Sequence, residues 1–294
     1  MRLDCLLLMA LAFAPSLAAA TLTVSNLNDS GPGSLREAIT QANTVTGNDT
    51  IVFGAGVTGT ITLSSSLPQV LQGGGSIDIQ GPGRSLLTIS GANAVRIIDT
   101  QLASVLAMSK LTLSGGRAPL SGSDAEGGAI YSRGTLILFD VHITNCQANG
   151  ANSAGGSGGS GRGGAICHAP AIANLSITNS LISNCSATGG SGGAGNGGDA
   201  VGGALFVQSG SGLFTQLTIQ NCTATGGAGT AAGGAGAGAA IYANVPTTLI
   251  DSVIELSSAL GGNGGSSTPG SGTGGGIEAV HSLSWTNVTL RSCL

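Results

Sequence analysis

The feature that most restricts this chain is a recurrence. The string GGAI at residues 127–130 returns as GGAI at 163–166, GGAL at 202–205, GAAI at 238–241 and GGGI at 274–277. The ends of these strings are 36, 39, 36 and 36 residues apart. A second landmark follows each one: ITNC ending at Cys146, ISNC at Cys185, IQNC at Cys222, ELSS ending at Ser258 (or, one residue earlier, Ser257), and LRSC at Cys293. A fixed period of this length marks a repeat architecture in which each copy is one supersecondary unit. Residues 127–294 therefore hold five copies, the last incomplete.

Aligned on these marks, Leu138, Ile177, Phe214, Leu249 and Trp285 form one apolar column, and Ile143, Ile182, Ile219, Ile254 and Leu290 another. The local pattern has period two, which predicts strands. Tracts such as 155–164, 189–198 and 226–238 are glycine-rich and read as loops, because glycine weakens a strand or helix interior. Each copy then holds three short strands and a glycine excursion. It cannot bury its apolar face alone. Stacking copies one strand spacing apart, roughly 4.8 Å, turns the columns into a continuous core. The predicted fold is all-β: a right-handed parallel β-helix, or solenoid. A β-propeller is the rival, and three strands per copy are too few for its four-stranded blades.

Composition agrees with many thin layers. Aromatic residues are 3% of the chain, so the core must come from Ile, Leu, Val and Ala. Charged residues are 7%, yet 41% of residues are hydrophobic, which is not the profile of a disordered chain. With a net charge of −4, one lysine (Lys110) and no basic cluster, nucleic-acid binding has no electrostatic support.

The amino-terminal part differs. Arg2, an apolar run over residues 5–13 and Ala18-Ala19-Ala20 have the layout of a secretory signal peptide over residues 1–20. Cys5 lies too early for a lipoprotein site. No later segment is long and apolar enough for a transmembrane helix. Ser34-Leu35-Arg36-Glu37 is a capping box, and Leu35, Ala38, Ile39 and Ala42 share one helical face. A short amphipathic helix from Leu35 to about Asn43 is expected to cap the open end of the solenoid. Irregular early coils follow over 55–126. Strands are expected from residue 50 to the end of the early coils, at 50–53, 60–63, 76–80, 86–89, 95–98 and 110–113.

Two resemblances rest on these residues. LTVSNLNDSGPGSLREAITQAN with Asp49-Thr50-Ile51-Val52-Phe53, about residues 22–54, resembles the CSLREA domain of exported bacterial β-helix proteins; Gly33 replaces that family's leading cysteine. The later copies resemble the repeats of polymorphic outer-membrane proteins, which pair GGAI with an FxxN element. Here Ile143, Ile182, Ile219 and Leu290 hold the F position, and Cys146, Cys185, Cys222 and Cys293 the N position. The resemblance implies a β-helix in a surface or extracellular setting, with adhesion a common role. It implies no defined ligand. The translocator barrel of those relatives is missing and the chain stops at Leu294 inside its fifth copy. A fragment or truncated product with an exposed, self-associating strand edge is therefore expected.

The sequence assigns no catalytic, cofactor-binding or metal-binding residue, but several groups are candidates. Asp140, Asn179, Gln216, Asp251 and Asn287 form a polar column read as a turn ladder. Asp140 and Asp251 are three copies, about 14 Å, apart, too far for a glycosidase pair. Asp124 and Glu126, with Arg117 and Arg133 nearby in sequence, are the closest approach to a sugar or metal site. Residues 192–199 match a calcium-binding nonapeptide once only. His142, His168 and His281 do not cluster and read as surface or turn residues. Cys146, Cys185 and Cys222 should stack at a separation within disulfide range, or serve as buried thiols; Cys293 lies two coils from Cys222, and Cys167 stands in another column. That column, Tyr131, Cys167, Phe206, Tyr242 and Glu278, can either meet a sugar or pack beneath a loop. The expected function is a non-catalytic secreted or cell-surface protein, an adhesin for a glycan or host surface. The competing reading, a polysaccharide lyase or hydrolase, rests on fold analogy.

Overall fold

The computed structural model describes residues 19–44, 47–73, 75–170, 172–265 and 268–294. The export segment expected over residues 1–20 lies outside these, apart from Ala19 and Ala20. The described chain is nearly all-β, with long parallel sheets and one helix. No helix among the described residues is long and apolar enough to cross a membrane.

Strand pairing reproduces the repeat alignment residue by residue. Leu138 pairs with Ile177, then Phe214, Leu249 and Trp285 follow in the same column. Ile143, Ile182, Ile219, Ile254 and Leu290 do likewise. Both columns belong to a 15-stranded sheet. The GGAI segments build a six-stranded sheet, from Ile98–Asp99 to Ile277–Ala279. A four-stranded and a second six-stranded sheet carry the chain to and from the glycine tracts. The named pairings are parallel except Leu120–Ser121 with Asp124–Glu126.

The second, third and fourth copies have five strand segments each, not three, and the first has four because Thr135–Thr144 runs on as one strand. The second copy runs Ile166–His168, Asn174–Thr178, Leu181–Ser183, Ser186–Thr188 and Ala200–Val201. Left-handed residues cause the extra breaks: Gly163 (φ 63), Asn179 (φ 49) and Asn184 (φ 53) each turn the strand path. Side chains disfavour this conformation, and glycine, asparagine and aspartate tolerate it best. The polar column is therefore a column of corners, with Asp140, Gln216, Asp251 and Asn287 also left-handed. GGAI acquires a physical reading too. Its first glycine is a corner, and a Cβ on its second, at Gly164, would overlap the Gly203 carbonyl of the next copy. The alanine and isoleucine enter the core.

The core thins across each copy. A large cluster of Ile, Leu and Val fills the space beside the long sheet. Ala187, Ala200, Ala224, Ala239 and Ala259 form a second cluster with alanine alone. Beyond it the glycine tracts, expected as loops, lie mostly outside named strands, but two of them each end in a short one, Gly161–Arg162 and Gly236–Ala237, and the tracts stack in order. Bonds of 2.8–2.9 Å run from Gly159 N to Ala151 O, Gly190 to Gly159, Gly198 to Gly190, Gly227 to Gly198 and Gly234 to Gly227, and continue through Gly262 and Gly270. This zigzag joins the outgoing and returning chains of the first four copies. A Cβ at Gly190 or Gly198 would overlap a facing carbonyl.

The helix spans Leu35–Ala42 and buries the four predicted apolar residues. Ser34 Oγ accepts from Glu37 N at 3.2 Å, and Glu37 accepts from Gly33 N at 2.6 Å, one residue before the expected partner. Arg36 ties the helix to the early coils, donating to Ser65 O at 2.7 Å and Ser66 O at 2.6 Å. The strand expected at 95–98 shortens to Ile98–Asp99, while that at 110–113 is part of Val105–Ser114. In the fifth copy Trp285 and Leu290, members of the inward columns, are exposed.

Candidate functional site

The chain turns at Gly127, Gly163, Gly202 and Gly238 between the second six-stranded sheet and the GGAI sheet. One residue before each turn and four after it, two columns of residues flank the same corner. The column after the turn is as aligned: Tyr131 pairs with Cys167, Cys167 with Phe206, Phe206 with Tyr242 and Tyr242 with Glu278. Before the turn, Glu126 pairs with Arg162.

Asp124 and Glu126 do converge, but on Arg162 and not on Arg117 or Arg133. Arg162 Nη1 donates to Asp124 at 2.7 Å and to Glu126 at 3.0 Å. The cause is register: a residue one coil away across a parallel ladder is closer than one several positions along the strand. Burial would raise the Asp124 carboxyl, but the Ser160 N–H at 2.8 Å and Arg162 outweigh it and hold it below its usual range. Arg133 instead reaches Asp99 at 3.4 Å, as does Arg96 at 3.5 Å. Both guanidiniums lie over the Tyr131 ring, 5.4 and 5.1 Å from its centre. Burial, then the Glu126 charge, pushes the Tyr131 phenol up to about 12.

Two coils on, Phe206 and Tyr242 stack in a tilted pair, ring centres 5.7 Å apart. Phe206 is buried and Tyr242 half-buried, so the stripe is part core, part surface. A depression of about 180 Å³ opens beside them, lined by Ser160, Arg162, Asp199, Phe206, Tyr242 and Asn244.

The remaining candidates fall elsewhere. Asp140 pairs with Arg84 at 3.4 Å, while Asp251, three ladder steps from Asp140, accepts from Asn287 at 2.7 Å. Within 192–199, Asp199 accepts from Ala235 N at 2.8 Å, and Gly192 packs against Asn196 O, as backbone stacking requires. His168 is not at the surface. It is buried on its strand, near Ser132 Oγ at 3.2 Å, and burial lowers its pKa to about 4 despite a bond to Ala173 O. His142 is half-buried, 2.9 Å from Ser183 Oγ, and lowered by burial and then by Arg84. His281 is exposed. The five cysteines among the described residues are free, four of them buried. Cys185 faces Cys146 and Cys222, and burial raises its thiol. Ser257, not Ser258, continues that column, accepting from Cys222 N at 3.4 Å. Among the described residues no three His, Cys, Asp or Glu side chains gather as a metal site.

The chain matches no protein-family model and no curated protein. Sequence reasoning missed Arg96, Asp99, Arg162 and Asn244. Only Arg162 had a readable signal, since it holds the same place before GGAI as Glu126.

Proposed function

We propose that this chain is an exported cell-surface protein that winds as a right-handed parallel β-helix and binds a glycan at this corner without turning it over. The winding is supported by parallel, in-register pairing of successive copies and by the right-handed rule for parallel crossovers. Export rests on the pattern of residues 1–20 and on the CSLREA-like segment. The helix of that segment packs its apolar face into the core and serves as the cap.

The observation that carries the binding reading is the depression beside Phe206 and Tyr242. An aromatic surface next to a few convergent polar groups suits a sugar, whose C–H face lies on a ring and whose hydroxyls meet Arg162, Asp199 and Asn244. The carboxylates favour binding without turnover. A general acid needs a raised pKa, whereas Asp124 is held low by a shared arginine. The test is a panel of immobilised polysaccharides, followed for retention and for new reducing or unsaturated ends. Retention without products, weakened about tenfold in Tyr242→Ala as one stacking contact is lost, is expected. Products that vanish in Asp124→Asn make the protein a polysaccharide lyase or hydrolase. Failure to bind any polysaccharide removes the glycan reading.

A further inference from the structure

The early coils hold a second depression, larger than the corner and on another sheet. Most later coils pass from one half of the long sheet to the other through one or two residues, beginning with the left-handed corner. Between Ser76–Gln80 and Leu87–Ser90 the chain instead makes a six-residue excursion, Gly81-Pro82-Gly83-Arg84-Ser85-Leu86. It is fixed in place: Gly81 N donates to Ser109 O at 2.8 Å, Gly83 N to Lys110 O at 2.9 Å and Thr112 Oγ1 to Arg84 O at 2.6 Å. A Cβ at Gly81 would overlap the Lys110 carbonyl, so only glycine allows this approach.

The excursion walls one side of a trough of about 430 Å³. That volume lies within the range of small-ligand sites. Its floor follows the ladder from Val52 to Gln80, Ser109 and Phe139. Three ladder steps, about 14 Å, separate its ends, which are closed by Phe53 and by Phe139, 46% exposed. Between them lie Gln80, Ser109 and the chain's single lysine, Lys110. Lys110 is exposed at a left-handed corner and makes no ion pair among the described residues, whereas Arg84 on the excursion is held by Asp140. Gln80 is oriented by its 2.7 Å bond to Asp78, the nearest carboxylate along the strand.

We propose that this trough binds a carboxylate-bearing sugar, a uronate unit of an acidic glycan. Phe139 meets the ring face, Gln80 and Ser109 meet hydroxyls, and Lys110 meets the carboxylate. A flat apolar wall, two neutral donors and one free cation match those three parts of such a sugar. The site is independent of the corner beside Tyr242 and stands without it.

The test is titration of the full chain with an oligogalacturonate and with a neutral galacto-oligosaccharide of equal length. The variants come from the repeat itself. Lys110→Asn installs the residue of the equivalent corners Asn179 and Asn287, and Phe139→Thr the residue of Thr178 and Thr215. Both should fold. Each is expected to weaken the oligogalacturonate about tenfold or more, the loss of one charge-assisted or stacking contact. Tyr242→Ala should leave it unchanged. The proposal is overturned if the oligogalacturonate fails to bind, if the neutral oligosaccharide binds as tightly, or if neither variant weakens binding. Loss in Tyr242→Ala alone would also overturn it, by moving the acidic sugar to the corner, and would leave that reading intact.

Discussion

His168 stands in a column that continues with Val207 and Ala243, so an imidazole occupies a place built for aliphatic groups. Its folded pKa of about 4 lies below the ordinary 6.5 because burial disfavours the charged ring. The unfolded chain therefore takes up the proton first. Stability is full above pH 6.5, falls as pH drops from 6.5 towards 4, and flattens below. The gap corresponds to about 3 kcal/mol. Urea unfolding at pH 7 and pH 4 should show that loss, and His168→Val should remove it; an unchanged pH dependence in the variant would refute the assignment. The glycine zigzag gives a second residue-scale expectation. Gly198→Ala forces a Cβ into the Gly159 carbonyl and should cost about 1–3 kcal/mol. Gly155→Ala, with open space around it, should be close to neutral in the same urea melts. Neither feature was legible in the sequence. His168 occurs once in its column, so no repetition marks it as core. Glycine has no side chain to show periodicity, and direct backbone packing depends on a partner tract more than thirty residues away.

At the scale of single elements, the corners explain both what could be read and what could not. Asn145, Asn184 and Asn221 form a left-handed column immediately before the cysteines, and Leu256 and Ser292 continue it at φ 53 and 49. A leucine there bears a backbone penalty of roughly 1–2 kcal/mol that asparagine largely avoids, and its side chain is 54% exposed. Leu256→Asn should therefore raise the thermal midpoint, with a gain of up to about 1 kcal/mol. A lowered midpoint would show that Leu256 makes a contact worth more than the strain. The apolar columns were legible because period two and a 36-residue repeat reinforce each other. The corners were half legible, since Asn and Asp recur while Gln216, Leu256 and Ser292 interrupt the pattern. This is why the sequence predicts three strands per copy where four or five are found. The ion pairs were not legible: Arg162 meets Asp124 and Glu126 only once the ladder fixes which residue of the next coil lies opposite.

Across the whole molecule, one arrangement connects stability with function. Side chains shrink from isoleucine and leucine through alanine to glycine, so each copy tapers while its backbone bonds stay continuous. Such a stack is rigid enough to hold outward side chains at fixed intervals, which both proposed sugar sites require. The corner beside Phe206 and Tyr242 draws residues from three successive coils, and the trough at Lys110 from four. Both sites dissolve if the copies are not stacked one strand spacing apart.

That stacking can be tested by cross-linking outward positions. Thr178 and Thr215 are paired on adjacent coils, about 4.8 Å apart, inside the disulfide range. Thr178 and Ile250 are separated by one more coil. With Cys293, the least buried thiol among the described residues, replaced by serine, Thr178→Cys combined with Thr215→Cys should close an intramolecular disulfide under mild oxidation. Thr178→Cys combined with Ile250→Cys should not. The reverse result, or no cross-link in either pair, would contradict a parallel stack and favour radial blades, in which equivalent residues of successive copies lie far apart.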